Sequence, residues 1–337
     1  MAWGALGGYG RPFLAASLFV AGLTMSTETD CRTLSDATTS RQPIRVLPQR
    51  PRVAIVPAAG WGTRLRPLTD AVSKEMLPVG RKPALEHIVD ELSAAGITQI
   101  VFVLSPRKEP DIHRYFGEGR GDTAFSYAIQ PEMRGLGDAV LCAHPHFASD
   151  APFLIALGDA VFEEAVPGTI SGRLVRSFEA DPDAALGVVV QRLPRASLSR
   201  YGVVKPVDPD PLALGNYVGA FAICDVVEKP APLDAPSEFA VAARFIAGSE
   251  LFDALRATPP GRGGEVQLTD ALRDLLAGGR RGVAVPLQFG EARHDIGALD
   301  SYFRAFAAFA LADAEYGAGL RSYIEERLQR NEKDAGK

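Results

Sequence analysis

From residue 52 onward, short apolar runs alternate with segments in which apolar residues recur at helical spacing. VAIVPA (53–58), QIVFVL (99–104) and FLIAL (153–157) are continuously apolar, a pattern typical of strands buried on both faces of a sheet. Between the first two, ALEHIVDELSAAGI (84–97) has the apolar spacing of a helix. A strand, a helix and a strand in this order predict an α/β unit with a right-handed crossover.

The second half of the chain is richer in short β segments. Strands are predicted at LGVVVQ (186–191), FAVAARFIA (239–247) and VAVPLQF (283–289), and residues 201–230 form short apolar pieces separated by Pro, Gly and Asp. The stretch 298–330 has the pattern of helices with a stripe of aromatic residues. We therefore predict an α/β fold, a Rossmann-like doubly wound mixed sheet with a β-rich sub-lobe and C-terminal helices.

Residues 1–51 differ from the rest of the chain. The apolar run PFLAASLFVAGL (12–23) is too short to span a bilayer, and no clear cleavage site follows it. A polar, Ser- and Thr-rich stretch begins at Met25, which predicts disorder. We interpret 1–51 as a disordered or mis-started extension whose favoured start is Met25, with a signal or anchor segment as the alternative.

Composition narrows the class of protein. The 337 residues are 47% hydrophobic and 23% charged, with a net charge of -5, which argues against a protein that coats nucleic acid or anionic membrane. The three cysteines, Cys31, Cys142 and Cys224, are odd in number and far apart. No disulfide framework follows from them, so we predict a cytoplasmic protein.

A glycine-rich loop follows the first predicted strand. In open α/β sheets, ligands bind beyond the carboxyl ends of the strands. Gly60 and Gly62 let backbone N–H groups approach an anion without interference from side chains. The loop does not match a Rossmann fingerprint, because Leu65 stands where the third glycine belongs, and it lacks the Gly-Lys pair of a Walker A loop.

Two cations accompany this loop. Arg64 offers a planar fork suited to phosphate, and Lys74 follows further along as a second cation. Backbone amides and two cations directed at one volume would suit a triphosphate. The alternative is that Arg64 and Lys74 are surface charges.

Two aspartates are candidate metal ligands. Asp159 follows the strand FLIAL by one glycine, and Asp295 follows the strand VAVPLQF. Both are expected at carboxyl ends of strands, where one or two carboxylates together with phosphate oxygens and water suit Mg²⁺. The alternative is that both aspartates cap loop turns.

Seven motifs in chain order strengthen this interpretation. With them the chain resembles the sugar-1-phosphate nucleotidyltransferases over roughly residues 52–328, and in particular the bacterial uridylyltransferases that act on UTP and glucose 1-phosphate. The motifs are GWGTRLRPLTDAVSKEMLPV (60–79), Gln130 with GLGDAV (135–140), LGDA (157–160), YGVV (201–204), VEKP (227–230), GGEVQLTDAL (263–272) and HDIG (294–297).

The resemblance implies a reaction and the residues that hold the nucleotide. A phosphate oxygen of glucose 1-phosphate attacks the α-phosphorus of UTP and pyrophosphate leaves, with Mg²⁺ and without a covalent intermediate. Backbone groups of Ala59 and Gly60, with Gln130 and Gly137, are implied to hold the uracil. The set implied at the nucleotide is Ala59, Gly60, Gly62, Thr63, Arg64, Lys74, Gln130 and Gly137.

The resemblance also implies the sugar side and the partners. Gly202 would give the sugar ring room, Glu228 would bridge two glucose hydroxyls, and Lys229 would bind the sugar phosphate. The residues implied to act in catalysis are Arg64, Lys74, Asp159 and Lys229. UTP and glucose 1-phosphate are the implied substrates, and a homodimer or homotetramer is the implied assembly.

We divide the chain accordingly. Residues 52–190 are predicted to bind the nucleotide, 191–297 the sugar, and 298–330 to form the C-terminal helices before a tail at 331–337.

Some positions depart from the family pattern. Asp70 stands where the uridylyl enzymes often have lysine, and Asp138 replaces a histidine beside the expected base pocket. The segment before VEKP is also unusual. Base and sugar choice are therefore open, and a relative that uses dTTP or another sugar phosphate is one alternative. A regulator that binds nucleotide sugars without catalysis is another, and Leu65 weighs against a dinucleotide oxidoreductase.

Overall fold

The computed structural model describes residues 50–147, 150–208 and 219–335, with the side chains of Arg262 and of 332–335 left aside. The predictions made for residues 1–49 and for 214–218 lie outside the described residues.

The described strands and helices alternate along most of the chain. The strands are β1 (Val53–Pro57), β2 (Pro78–Val79), β3 (Lys82–Pro83), β4 (Gln99–Leu104), β5 (Gly119–Arg120), β6 (Thr123–Ile129), β7 (Phe153–Ala156), β8 (Ala160–Glu163), β9 (Ala184–Arg192), β10 (Gly202–Pro206), β11 (Phe221–Glu228), β12 (Phe239–Ala247), β13 (Arg281–Pro286) and β14 (Ala292–Asp295). The helices are α1 (Leu68–Ala71), α2 (Ala84–Ala94), α3 (Glu109–Phe116), α4 (Leu136–Cys142), α5 (Thr169–Glu179), α6 (Glu250–Ala257), α7 (Leu268–Leu275), α8 (Leu299–Leu311) and α9 (Gly317–Ala335).

Parallel strands form the centre of a mixed sheet. β7, β1, β4 and β6 lie side by side and run parallel, with Ile55 of β1 opposite Val101 of β4. Alternate residues of these strands enter two hydrophobic clusters on opposite faces, so that Val56 packs into one cluster and Ile55 into the other. Burial on both faces explains why these strands are continuously apolar.

Five strands close a barrel-like ring beside this centre. β10, β11, β13, β9 and β12 pair in that order, and β10 pairs again with β12 at Val203 and Ala240. β12 also pairs antiparallel with β7, which joins the ring to the parallel strands. The predicted mixed α/β fold with a β-rich part is therefore confirmed. The ring includes β9, which begins before residue 191.

Two helices end the described chain, as predicted. α8 packs beside β2, where the Tyr302 hydroxyl donates to the carbonyl oxygen of Pro78 at 3.0 Å. Arg81 forms an ion pair with Asp313, which lies in the turn between the two helices, and Nε of Arg81 is 2.7 Å from Oδ2 of Asp313. The residues of the aromatic stripe do not share one environment, because Phe309 packs against the core while Phe303 is exposed to solvent. Among the described residues, no helix is long and apolar enough to cross a membrane.

Candidate active site

A cavity of about 350 Å³ opens where β1, β6 and β7 end. This is the edge of the sheet at which an open α/β fold binds its ligands. Five residues predicted from the sequence line it, namely Ala59, Gly60, Lys74, Gln130 and Asp159. Trp61, Glu75, Gly135, Leu136 and Glu265 are among its other lining residues.

The glycine loop has a fixed backbone. The N–H of Ala58 donates to the carbonyl oxygen of Val103 at 2.8 Å and so extends the pairing of β1 with β4. Gly62 has a φ of +66°, and a Cβ there would lie 3.0 Å from the Thr69 methyl carbon. The Thr69 hydroxyl also donates to the Gly62 carbonyl oxygen at 2.9 Å. Gly62 is therefore required by both conformation and space. Thr63 follows it as the first residue of a 3₁₀ turn.

A buried ion pair beneath the loop was not predicted from the sequence. The Lys108 ammonium donates to the carbonyl oxygens of Ala58 and Gly60, and to Oε2 of Glu75 at 2.7 Å. Both charged side chains are buried. Burial raises the pKa of the Glu75 carboxyl and lowers that of the Lys108 ammonium, and the ion pair opposes both shifts. With its carbonyls held from below, the loop keeps a fixed face toward the cavity.

Lys74 and Asp159 meet at the wall of the cavity. Lys74 Nζ lies 2.7 Å from Oδ2 of Asp159. Burial disfavours the Lys74 ammonium, but Asp159 and Glu75 outweigh this effect and raise its pKa. Burial also disfavours the Asp159 carboxylate, but Lys74 and then Arg293 outweigh it, so the pKa of Asp159 is lowered. Both groups are therefore charged at neutral pH.

The turn that carries Asp159 is anchored by backbone and by a second buried ion pair. Gly158 N–H donates to the Pro57 carbonyl oxygen at 3.1 Å, and a Cβ on Gly158 would approach that oxygen to 2.8 Å. Arg244, fully buried on β12, donates to the Ala160 carbonyl oxygen at 3.1 Å and pairs with Glu91 at 2.6 Å. No motif in the sequence marked Arg244, whose partners lie far away along the chain.

The second predicted metal ligand lies beside the first. β8 and β14 pair antiparallel with Asp295 opposite Ala160, and Ile296 N–H donates to the Asp159 carbonyl oxygen at 2.9 Å. A Cβ on Gly297 would lie 2.8 Å from Oδ1 of Asp295 and 2.9 Å from Nη2 of Arg64. The structure therefore brings Arg64, Asp159 and Asp295 together, although 231 residues of sequence separate Arg64 from Asp295.

These two carboxylates fit a magnesium ion that also binds phosphate. Oδ2 of Asp159 accepts from Lys74 and Oδ1 of Asp295 accepts from the Gly297 N–H at 2.6 Å. Within the described residues, no group of three or more His, Cys, Asp or Glu side chains is arranged to hold a metal. Mg²⁺ commonly binds through one or two carboxylates and completes its shell with phosphate oxygens and water.

A second cluster forms on the ring of strands. Glu228, at the end of β11, accepts from the Thr269 hydroxyl at 2.7 Å and pairs with Lys229 at 2.9 Å. A Cβ on Gly202 would lie 3.5 Å from Oε2 of Glu228. Lys229 has a φ of +45°, an uncommon conformation for a residue with a side chain. The three residues predicted for the sugar side thus lie together, and Thr269 joins them from α7.

Arg293 connects the second cluster to the carboxylates. Its guanidinium lies 5.4 Å from the ring centre of Tyr201, the residue before Gly202, and 3.6 Å from Oδ2 of Asp295. Its Nε is buried without a hydrogen-bond partner among the described residues.

At the other end of the cavity, Gln130 and Gly137 differ in what they offer a ligand. The Gln130 side chain donates to Asp138 at 2.8 Å and to the Gly135 carbonyl oxygen at 3.1 Å. The Gly137 N–H already donates to the Val266 carbonyl oxygen at 2.9 Å. Gly135 and Leu136, rather than Gly137, line the cavity.

Comparison with known proteins agrees with this arrangement. The model of the nucleotidyl transferase family matches residues 53–311. A UTP–glucose-1-phosphate uridylyltransferase of Bacillus subtilis (strain 168) is 33% identical over 305 residues, covering 84% of this chain and 97% of that protein. A UTP–glucose-1-phosphate uridylyltransferase from Streptococcus pyogenes is 34% identical over 297 residues, which cover 81% of this chain and 93% of that protein. A UTP-bound UGPase structure from Acinetobacter baumannii is similar, with a TM-score of 0.72 and 26% sequence identity. The similarity covers 82% of this chain and 99% of that chain. The resemblance predicted from the motifs is confirmed.

Proposed function

The chain belongs to the nucleotidyl transferase family, and we propose that it transfers the uridylyl group of UTP to glucose 1-phosphate, giving UDP-glucose and pyrophosphate. The observation that carries this proposal is that Ala59, Gly60, Lys74, Gln130 and Asp159 line one and the same cavity. Curated relatives with this activity are matched over more than nine-tenths of their own length.

The division of labour follows the two clusters. Residues 52–190 form the nucleotide-binding part, and its neighbouring parallel strands support a Rossmann-like, doubly wound arrangement. Residues 191–297 form the sugar-binding part, together with β9 of the same ring. The C-terminal helices begin at Leu299 and continue to Ala335, so the boundary predicted at residue 330 was too early.

The nucleotide enters along the glycine loop. Backbone groups of Ala59 and Gly60 face the uracil together with the Gln130 amide, and Gly137 contributes by allowing Val266 to approach closely. The phosphates lie along the loop, whose amide groups can bind anions where no side chain intervenes. The loop residues assigned to the phosphates are Gly62, Thr63, Arg64 and Lys74.

The sugar phosphate binds at the second cluster. Glu228 accepts hydrogen bonds from two glucose hydroxyls, and Lys229 pairs with the phosphate instead of with Glu228. Gly202 leaves room for the sugar ring beside Glu228.

Chemistry requires positioning and charge neutralisation more than a reactive side chain. A phosphate oxygen of glucose 1-phosphate forms a new bond to the α-phosphorus of UTP, and the bond from that phosphorus to the bridging oxygen of pyrophosphate breaks. Lys74 and Arg64 stabilise the negative charge that builds at this centre. No side chain forms a covalent intermediate.

Asp159 and Asp295 would hold Mg²⁺, which would neutralise charge on the triphosphate. Asp159 remains charged in this role, because Lys74 outweighs burial and keeps the pKa of its carboxyl low. The proposal also includes a cytoplasmic location and assembly into a homodimer or homotetramer.

Release of pyrophosphate by the purified protein tests the proposal. Each of UTP, dTTP, CTP, ATP and GTP is incubated with glucose 1-phosphate and Mg²⁺. We expect fast release with UTP. Faster release with dTTP would keep the mechanism and make the protein a thymidylyltransferase. Binding of UTP or UDP-glucose without release from any pair would favour a regulator and would overturn the proposal.

A further inference from the structure

The side-chain amide of Gln130 is held in one orientation. Gln130 is 3% exposed and lines the cavity. Its nitrogen donates to Oδ2 of Asp138 and to the carbonyl oxygen of Gly135. An amide nitrogen carries two hydrogens, whereas an ionised carboxylate and a carbonyl oxygen can only accept. A flipped amide would set its oxygen against both acceptors, so Oε1 is the atom left for a ligand.

Asp138 is itself fixed from its other side. Nε and Nη2 of Arg134 lie 3.2 Å and 2.9 Å from Oδ1 of Asp138, so each carboxylate oxygen serves a different partner. The backbone that precedes Asp138 is held as well. The Arg134 carbonyl accepts from the Val266 N–H at 2.8 Å, and the Val266 carbonyl accepts from the Gly137 N–H. Asp138 is buried and cannot turn away from Gln130 without breaking these contacts.

We propose that Asp138 is a positioning residue that sets the base specificity of the site, an inference that rests on the function proposed above. By occupying the nitrogen of Gln130, it makes Gln130 present an acceptor to the base. Uracil and thymine carry a donor N–H at N3, whereas the N3 of cytosine is an acceptor. An imide base therefore satisfies Oε1, while cytosine would leave two acceptors facing each other in a buried site.

The chemistry of aspartate is what makes this control strict. A histidine or asparagine at position 138 can donate as well as accept, and would allow the Gln130 amide to stand either way. A carboxylate accepts only, and both oxygens of Asp138 already accept, Oδ2 from Gln130 and Oδ1 from Arg134. Asp138 is therefore the residue that keeps the Gln130 acceptor directed at an imide base.

The variant Asp138→Asn tests this inference. Binding of UTP and CTP is followed through the fluorescence of Trp61, which lines the same cavity, and turnover is measured as pyrophosphate release. We expect the preference for UTP over CTP to fall about tenfold, since a charge-assisted hydrogen bond that fixes the amide is lost. The matched control is Asp253→Asn, which removes an exposed carboxylate paired with Arg256 and is expected to leave the preference unchanged.

A second pair of variants tests the same contact from the side of Gln130, and its single variant does not depend on the folding of Asp138→Asn. In Gln130→Glu, the new carboxylate faces Asp138, so UTP binding is expected to weaken as the pH rises from about 6 to about 8, whereas the wild type changes little. In Gln130→Glu/Asp138→Asn, an amide donor again faces an acceptor, and this pH dependence is expected to disappear. A purely structural role for Asp138 predicts neither the change in preference nor the rescue.

The outcomes separate this inference from the proposed function. If the wild type turns over UTP and Asp138→Asn keeps the same preference over CTP, Asp138 does not set base choice although the function stands. If Gln130→Glu shows no pH dependence, the amide is not held as described. If the wild type uses no UTP, the proposed function is wrong and the inference is wrong with it.

Discussion

The lysine of the nucleotide cavity and the lysine of the sugar-side cluster differ in burial and in their charged partners. The Lys74 side chain is 12% exposed and meets Asp159, with Glu75 close by, whereas Lys229 is 57% exposed and meets only its neighbour Glu228 among the described residues. Buried charges must be paired where they stand, because an isolated buried ion is costly. On the function proposed above, the nucleotide end, around Lys74, is thus paired in charge before a ligand binds, and the sugar end, around Lys229, is completed by the substrate.

The difference has a source in the fold. The glycine loop follows β1, one of the parallel strands at the centre of the mixed sheet, and is held from beneath by Lys108. Lys229 follows β11, a strand of the ring, and is held by its backbone N–H to the Tyr201 carbonyl and by an uncommon φ. A conformation of that kind costs free energy of about 1 kcal/mol or more and is retained where the surroundings require it. We infer that paired side-chain charges keep the nucleotide end rigid, whereas the backbone conformation at Lys229 keeps the sugar end rigid.

The largest expected effect comes from Asp159→Asn. This isosteric change removes a carboxylate from the proposed magnesium site and leaves Lys74 without its main charge partner. We expect kcat for pyrophosphate release to fall by about 10³-fold, the scale seen when a charge-stabilising group of an active site is removed. Asp90→Asn, at an exposed pair with Lys82, is the control and should be unaffected. A loss of less than about fivefold would show that Asp159 has no such role.

A smaller effect is expected from the ion pair of Lys108 and Glu75, which holds the glycine loop at the nucleotide end. Lys108→Met leaves Glu75 buried without its partner and frees the carbonyls of Ala58 and Gly60. Breaking a buried pair in this way is expected to lower the free energy of unfolding by about 3 kcal/mol. Urea denaturation measures it. Lys82→Met, which breaks an exposed pair, should cost less than about 1 kcal/mol. Equal losses in the two variants would mean that the loop is held by other contacts.

The sugar end should respond in a different kinetic constant. Lys229→Met removes a charge assigned to the sugar phosphate but not to the nucleotide. We expect KM for glucose 1-phosphate to rise about 30-fold, the value of a charge-assisted hydrogen bond, while UTP affinity changes less than about twofold. Steady-state kinetics with each substrate varied in turn measures both. A comparable loss of UTP affinity would contradict the separation of the two ends.

The strands and the members of the site could be predicted where they depend on local residue patterns or on the order of the motifs. β4 has the predicted bounds because a continuous apolar run reveals a strand buried on both faces, and β12 has them although Arg244 interrupts its apolar residues. The motifs named residues that do lie together, such as Asp159 and Asp295. Lys108 was missed because its contacts with Ala58 and Glu75 join separate elements, and a lone lysine after a strand carries no pattern. Closure of the ring by β10 and β12 was missed for the same reason.

The smallest effect concerns pH, and it tests whether the pair at the nucleotide end is as firmly ionised as described. The pKa of Asp159 is lowered by Lys74 in spite of burial, so its contribution to stability is present above about pH 4 and is lost as the pH falls through the folded value.

The pKa of Lys74 is raised by Asp159 and Glu75 in spite of burial, so its contribution is present below about pH 10 and is lost as the pH rises through the folded value. The difference in unfolding free energy between the wild type and Asp159→Asn should therefore be constant from about pH 5 to about pH 9 and shrink below about pH 4. Urea denaturation across this range measures it. A difference that changes between about pH 6 and about pH 8 would mean that one member of the pair titrates there, and the nucleotide end would not be preassembled in charge.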